Sequence, residues 1–343
     1  MTSQPSVLPK AAWKVEQADK DITDRINPRL LALTLTEKRG NEADELEIRV
    51  DDRDGTVAMP KKGVVLQVWL GWERGTGLPQ GLVYKGTFKV DERSLSGPPD
   101  IITIRARSAD FTDTFKVRKQ RSFVGQTVKT IMSAIAADNG LKLSIDADLG
   151  AKVIPALGHT AKSDAALLKL LGKRFDAVAT VKSGTLIFSP IGKSASPGGK
   201  AIPTETIDRK QTSPGFTFSE PDRGTYDGVE AKWHNKATNQ QETVVVGGSA
   251  EPKAKLLRKV YANEADARTA AEAEQGRMER GKATMSFPLA LGRPDIFPDR
   301  PIRLTGWKAE VNAIDWLVIE TSHSMDGNGA LSTRLSLEAA AKA

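Results

Sequence analysis

The chain holds three histidines, His159, His234 and His323, and no two of them are close in sequence. Metal and nucleophile sites draw on imidazole, thiolate and carboxylate at short fixed spacings, and cysteine is absent altogether. That removes disulfide scaffolds, thiolate metal sites and cysteine nucleophiles together. The carboxylates remain, 43 of them. A glycoside hydrolase needs two across one groove, roughly 5 to 9 Å apart. Asp91-Glu92 and the pair Glu310 and Asp315 fall at expected strand ends, where solvated turn charges are the default, and no local signature selects either pair. His159 precedes Thr160 and a helix N-terminus and is expected to pack against a cap at Ser163. His323 is expected to end the strand that starts near Trp316, or to join a subunit contact; His234, after Trp233, reads similarly. The stretches Gly71 to Gly81 and Gly247-Gly248 lack the strand-loop-helix setting of a phosphate loop. No catalytic, cofactor or metal site is expected.

The surrounding composition belongs to a folded, soluble protein. Of 343 residues, 39% are hydrophobic and 27% charged, and the length suggests two or three domains. No apolar run approaches the roughly 20 residues of a membrane span. The N-terminal MTSQPSVLPKAAWKVEQ lacks the basic-then-apolar layout of a secretory signal, so folding in a cytoplasm is expected. The net charge of +7 admits nucleic acid as a partner. However, Lys and Arg alternate with acids, as in Glu37-Lys38-Arg39. The densest basic cluster, Lys116 to Arg121, has no stacked aromatics and reads as a solvated face. Trp69, Trp72, Trp307 and Trp316 read first as core residues and second as interface residues, because Trp is enriched where subunits meet.

The elements that carry these residues follow from periodicity. Leu46, Ile48 and Val50 alternate with Glu45, Glu47 and Arg49; Val64, Leu66, Val68 and Leu70 repeat the period, Phe88 and Val90 follow, and Ile102, Ile104 and Ala106 alternate with Thr103, Arg105 and Arg107; Gly/Pro turns separate the runs. The first 112 residues are therefore expected to form a small antiparallel barrel or sandwich. Residues 113–213 are expected to be α+β. One helix runs from Thr127 to Asp138 and ends at Gly140; another runs from Asp164 to Arg174 and is capped by Ser163. The Gly/Ser/Pro-rich stretch Ser194 to Pro203 reads as a linker. Residues 214–343 return to strands at Val229 to Trp233, Thr243 to Val246, Met285 to Leu289, Ile302 to Leu304, Trp316 to Ile319 and Leu331 to Leu337. A helix at about 264–280, capped by Asn263 and ended by Gly281, interrupts them. Its alanines Ala267, Ala270 and Ala271 suit close packing on a sheet.

The two β-regions share an order. Leu46 to Val50, the turn Pro60 to Gly63, a strand ending at Gly71, Phe88-Lys-Val-Asp-Glu and the Ile102 strand have counterparts in Met285 to Leu289, Pro298 to Pro301, a strand ending at Gly306, Trp316-Leu-Val-Ile-Glu and the Leu331 strand. This is a weak repeat of two similar β-domains.

With that order in hand, the chain resembles the phage late-control D family, the tail hub proteins of contractile phages and phage-like R-type bacteriocins, and the hub portion of type VI secretion spike proteins. Carrying residues are Gly86-Thr-Phe-Lys-Val-Asp-Glu-Arg, Ser96-Gly-Pro-Pro, Ile102-Thr-Ile-Arg-Ala-Arg-Ser-Ala-Asp, Arg121-Ser-Phe with Gln126-Thr127, His159-Thr-Ala-Lys-Ser-Asp, Tyr226-Asp-Gly-Val-Glu-Ala-Lys-Trp, and Asp315-Trp-Leu-Val-Ile-Glu-Thr-Ser-His323. The resemblance implies an α+β, mainly β fold: two similar tail-tube-like β-barrel domains, an intervening α+β domain and a helical insertion in the second barrel. It implies a structural protein with no catalytic residues and no cofactor. Three copies would form a ring adapting a six-fold tail tube to a three-fold spike. Implied partners are a second and third copy of the chain, the central spike protein, the tail tube protein, other baseplate proteins and the tape-measure protein, with no membrane and no specific nucleic acid. The chain stops soon after the last expected strand, so the spike is expected to be a separate protein. Assembly is expected in the host bacterial cytoplasm, followed by residence in the baseplate of the released particle. A tail-associated peptidoglycan hydrolase and a nucleic-acid-binding regulator are the alternatives.

Overall fold

Alternation in the first hundred residues becomes a sheet with one apolar face. The computed structural model describes residues 7–40, 42–108, 113–193, 200–221, 226–248 and 253–341. In Glu45–Asp51 the buried residues are Leu46, Ile48 and Val50, while Glu45 and Arg49 face water. The neighbouring strands run in the order Leu30–Lys38, Glu45–Asp51, Ile101–Ser108, Gly81–Ser96, Val65–Arg74 and Lys10–Gln17, all antiparallel. Their inward faces supply one core, with Val15, Leu33, Leu35, Ile48, Val68, Leu70 and Phe88 at its centre. Among the described residues no pairing joins Lys10–Gln17 to Leu30–Lys38, so the ladder stays open. The strand Val65–Arg74 does not end at Gly71 but continues to Arg74. Gly71 is needed there because a Cβ would sit 1.8 Å from the Gly81 carbonyl oxygen.

The middle region follows its helix signals closely. Val128–Asp138 is capped by the Thr127 hydroxyl, and Gly140 just beyond its end has φ +65°. Asp164–Phe175 is capped by Ser163, which accepts from the Ala166 amide. Val128, Ile131, Met132 and Ile135 of the first helix meet Leu167, Leu168 and Leu171 of the second in a separate core. Two small sheets complete it: Arg118–Thr127 paired with Val153–Ser163, and Lys142–Ile145, Thr185–Pro190 and Ala177–Lys182 side by side. Residues 194–199 of the expected linker lie outside the described residues.

The second β-region starts before residue 214. Glu205–Asp208 pairs in parallel with Pro301–Thr305. The order continues through Asp315–Asp326, Leu331–Ala339 and Thr284–Leu289 to Thr217–Ser219. Phe287, Ile302, Leu304, Trp316, Val318 and Leu335 form its core. The strands Gly228–Asn235 and Gln240–Gly247 do not join this sheet. With Ala254–Tyr261 they form a sheet of their own, covered by the helix Glu264–Arg280, whose Ala267 and Ala271 meet Val229, Ala231 and Val244. Small side chains let this helix approach its sheet closely, as the alanine pattern required. The whole unit sits between Thr217–Ser219 and Thr284–Leu289 as an insertion.

Pairing repeats across the two regions. Glu45–Asp51, Ile101–Ser108, Gly81–Ser96 and Val65–Arg74 neighbour one another in the same order as Thr284–Leu289, Leu331–Ala339, Asp315–Asp326 and Pro301–Thr305. Even the bulges correspond: register shifts between Val90 and Glu92 in one copy and between Val318 and Glu320 in the other.

Candidate functional site

Where the two β-regions meet, one strand serves both. Asp315–Asp326 pairs through Asp315 to Leu317 with Pro301–Thr305, and through Glu320 to Asp326 with Leu30–Lys38. The bulge at Ile319 separates the two segments and changes which residues face inward. Before it Trp316 and Val318 are buried; after it Thr321, His323 and Met325 are. On the facing strand Leu33 and Leu35 point into the core, and the same period carries Glu37 inward.

Glu37 is thus buried and must be satisfied. Lys85 from Gly81–Ser96 places its Nζ 2.5 Å from Glu37 Oε2 and donates to the Pro294 carbonyl at 2.9 Å. Thr321 Oγ1 donates to the same carboxylate at 3.2 Å, and His323 Nε2 lies 3.3 Å from it. His323 Nδ1 is 2.8 Å from Thr333 Oγ1, which accepts from the Arg293 amide. Because a carboxylate only accepts, Nε2 carries the proton and Nδ1 accepts from Thr333. Burial alone would raise the Glu37 carboxyl, but the His323 hydrogen bond and the Lys85 ammonium hold it at about 2. Burial and the nearby Lys85 charge push His323 down, against the pull of Glu37, and keep it neutral. Trp72 Nε1 crosses the same seam to the Gly292 carbonyl at 2.8 Å.

A second buried junction ties the remaining parts to this seam. Arg39 pairs with Glu338 at 2.6 Å, and Arg280 of the inserted helix contacts Glu338 at 3.0 Å and Asp176 of the middle region at 2.6 Å. Asp299 lies 3.7 Å from Arg39 and accepts from the Gly192 amide. Burial raises its carboxyl to about 6 despite the Arg39 guanidinium.

The residues singled out from sequence fall in several places. Trp72 and Trp316 are core residues. Trp69 and Trp307 are half-buried. Trp69 leans on Tyr84 with ring centroids 5.1 Å apart; Trp307 packs edge-on against Phe216 at 4.9 Å, with Arg209 over its face. Asp91 and Glu92 pair with Arg107 and Arg105, at 3.4 and 3.0 Å. Glu310 lies in the single-turn helix Ala309–Asn312 and Asp315 opens a strand, both exposed. The His159 side chain lies outside the described residues, and His234 is half-buried on Gly228–Asn235.

Two expectations are corrected. His323 does not end its strand, which runs on to Asp326; the bulge lets it continue with His323 facing the core. The basic cluster is not simply a solvated face. Lys119 and Arg121 reach the buried Asp164 carboxylate at 2.9 and 3.1 Å, with Asn139 Nδ2 donating to it at 2.8 Å. Among the described residues no group of His, Asp and Glu is arranged to hold a metal ion, and no helix is long and apolar enough to cross a membrane.

This architecture is that of phage tail proteins. The solved 43 kDa tail protein of prophage MuSo2 from Shewanella oneidensis superposes with a TM-score of 0.66 at 15% identity, over 95% of this chain and 98% of its own. A type VI secretion component from E. coli, described as structurally similar to the bacteriophage T4 tail proteins gp27 and gp5, superposes with a TM-score of 0.57 at 10% identity, over 92% of this chain and 74% of its own. The probable baseplate hub protein of Escherichia phage 186 is 36% identical, over 95% of this chain and 92% of its own length. The model of the phage tail baseplate hub (GPD) family matches residues 45–329. The chain belongs to that family and is a structural hub component of a phage-type tail baseplate.

Proposed function

We propose that three copies of this chain form a ring that joins the six-fold tube of a contractile tail to a three-fold spike. Each copy would contribute two barrel-like domains, residues 1–112 and 214–343, the second joined by the strand Glu205–Asp208, with the rest of residues 113–213 and the insertion around the helix Glu264–Arg280 on the outside. The observation carrying this reading is the repeated strand order, in which one chain presents the same pairing twice. Two pseudo-equivalent units per chain and three chains supply six positions for the tube while retaining three-fold symmetry for the spike. The likeness to a component compared with gp27 and gp5 supports a spike partner. Tube, other baseplate proteins and the tape-measure protein are the further partners in this reading. Assembly precedes release, in the host cytoplasm. The half-buried Trp69 and Trp307 are the aromatics it assigns to contacts between proteins. Such a ring requires no catalytic residue, and the ion-paired Asp91 and Glu92 support a structural assignment for those carboxylates.

The test is the mass of the purified chain by light scattering, alone and with its spike protein. A trimer, or a monomer converted by the spike into a three-to-three complex, is expected. A monomer indifferent to the spike would overturn the ring.

A further inference from the structure

The internal repeat extends further than the strand order, and it identifies two edges that match each other. Aligning the bulges sets Val318 on Val90 and therefore Glu320–Ser324 on Glu92–Ser96. The partner strands carry the alignment across the sheet. Leu337 falls on Ala106, Met285 on Leu46, and Phe218 on Leu35, because each pair occupies the same register position. Thr217-Phe-Ser-Glu220 thus corresponds to Thr34-Leu-Thr-Glu37.

Within the chain, the second-copy segment Glu320 to Ser324 pairs with Lys38 to Thr34 of the first copy. The reciprocal pair is incomplete. Glu92 to Ser96 has Ile101–Ser108 on one side; the strand on its other side reaches only to Val65, opposite Lys89. Thr217–Ser219 has Thr284–Leu289 on one side and, among the described residues, no strand on the other. An open edge of this kind is a template for another strand. Leu95 makes the gap visible: it pairs with Ile102 on the core face, yet Ile102 is 1% exposed and Leu95 54%.

We propose that the edge Glu92 to Ser96 of one copy pairs antiparallel with Thr217 to Glu220 of the next copy, repeating between chains the junction that Leu30–Lys38 and Asp315–Asp326 make within one. The proposal rests on the ring reading and names its contact. The register follows from the in-chain pairs. Thr36 opposite Ser322 becomes Ser219 opposite Ser94; Leu35 opposite His323 becomes Phe218 opposite Leu95; Glu37 opposite Thr321 becomes Glu220 opposite Arg93. Phe218 and Leu95 would cover each other on the core face, and Glu220 and Arg93 are of opposite charge on that face. Arg93 now donates to the Pro60 carbonyl at the surface and has its remaining donors available to a carboxylate. Because the contact is head-to-tail, repetition closes a ring if the rotation per copy allows.

The absence of cysteine in the chain makes the test direct. Thr36 Oγ1 and Ser322 Oγ lie 3.3 Å apart, so thiols at the equivalent Ser219 and Ser94 would be within reach of a disulfide. The full-length variant Ser94→Cys/Ser219→Cys is oxidised and run without reductant, beside each single variant. Thr36→Cys/Ser322→Cys serves as the control that closes within one chain. Covalent oligomers from the first double variant only, with the mass of the native oligomer, are expected. Arg93→Glu should weaken self-association by about tenfold or more, and adding Glu220→Arg should restore it. An oligomeric chain whose in-chain control closes while Ser94 and Ser219 stay unlinked overturns this contact and leaves the ring intact. A chain that remains monomeric even with its spike protein present overturns both.

Discussion

Replacing Glu37 by Gln should loosen the seam between the two β-regions without changing its shape. The side chains of Lys85 and Glu37 are 3% and 7% exposed, and their charged atoms are 2.5 Å apart. After Glu37→Gln the Lys85 ammonium keeps only neutral acceptors and has lost its counter-charge, and His323 faces an amide instead of a carboxylate. Removing one partner of a buried ion pair costs about 3–5 kcal/mol, because the other charge is left uncompensated. Removing both, as in Glu37→Gln/Lys85→Met, should recover most of that loss. Dependence on pH gives an independent reading. A carboxyl held at about 2, against an ordinary value of 4.5, contributes stability that is complete above pH 4.5 and disappears as pH falls through 2. The depression corresponds to about 3 kcal/mol. His323 acts in the same direction: its imidazole is held below its ordinary value of 6.5, so the unfolded chain protonates first and stability falls as pH drops below that value. Urea unfolding of wild type and the three variants, from pH 7 down to the acid limb, measures all of this. A single-variant cost under about 1 kcal/mol, or a double variant no better than Glu37→Gln, would refute the account of the seam as a coupled charge pair.

Asp299 has the opposite sign. Raised to about 6 by burial, it contributes stability below its ordinary value of 3.8 and loses it as pH rises through 6. Asp299→Asn, which suits the residue's φ of +69°, should flatten that slope by about 3 kcal/mol between pH 4 and pH 8 in the same assay. Trp72→Phe leaves the buried Gly292 carbonyl without its donor and should cost at least about 1–3 kcal/mol, with unchanged stability as the contrary result. Asp164→Ala takes a carboxylate 1% exposed away from Lys119, Arg121 and Asn139 and leaves the two cations the exposed Asp138; a cost of about 1.5–3 kcal/mol should appear as faster hydrogen exchange across Asp164–Phe175. Unaltered exchange there would show that the basic cluster does not depend on this carboxylate.

Legibility in the sequence depended on how local each cause was. Helix limits were readable because their causes are adjacent residues: Thr127, Ser163 and Asn263 each accept a hydrogen bond from an amide three residues on. Strands with clean alternation were equally readable. Lys10–Gln17 was not, because only Trp13 and Val15 of its eight residues are buried. Leu30–Lys38 carried a usable signal, Leu33 and Leu35 alternating with threonines, and it continued to Glu37. A carboxylate on the buried face of a strand predicts a buried partner, though not its identity. Lys85 and His323 could not be assigned, since one lies on another strand and the other reaches the core only through the bulge at Ile319. The setting of the basic cluster was unreadable for the same reason: Asp164 and Asp138, which pair with Lys119 and Arg121, are brought there by the fold.

A polar seam suits the task better than an apolar one. Greasy contacts between two sheets tolerate sliding, whereas a shift of one residue along Leu30–Lys38 would turn Glu37 to the opposite face and leave Lys85 and His323 without it. The network therefore fixes the angle between the two β-regions as well as their attachment. In a ring built by repeating that junction, the in-chain angle and the angle between chains must agree for the ring to close. A defect at Glu37 or Lys85 should then reduce assembly even though neither residue lies at the edges Glu92 to Ser96 or Thr217 to Glu220. Partial loss of oligomer in Glu37→Gln, at a temperature where the chain remains folded, would be its signature. Normal assembly of a folded Glu37→Gln chain would mean that the seam holds the halves together without setting how they are turned.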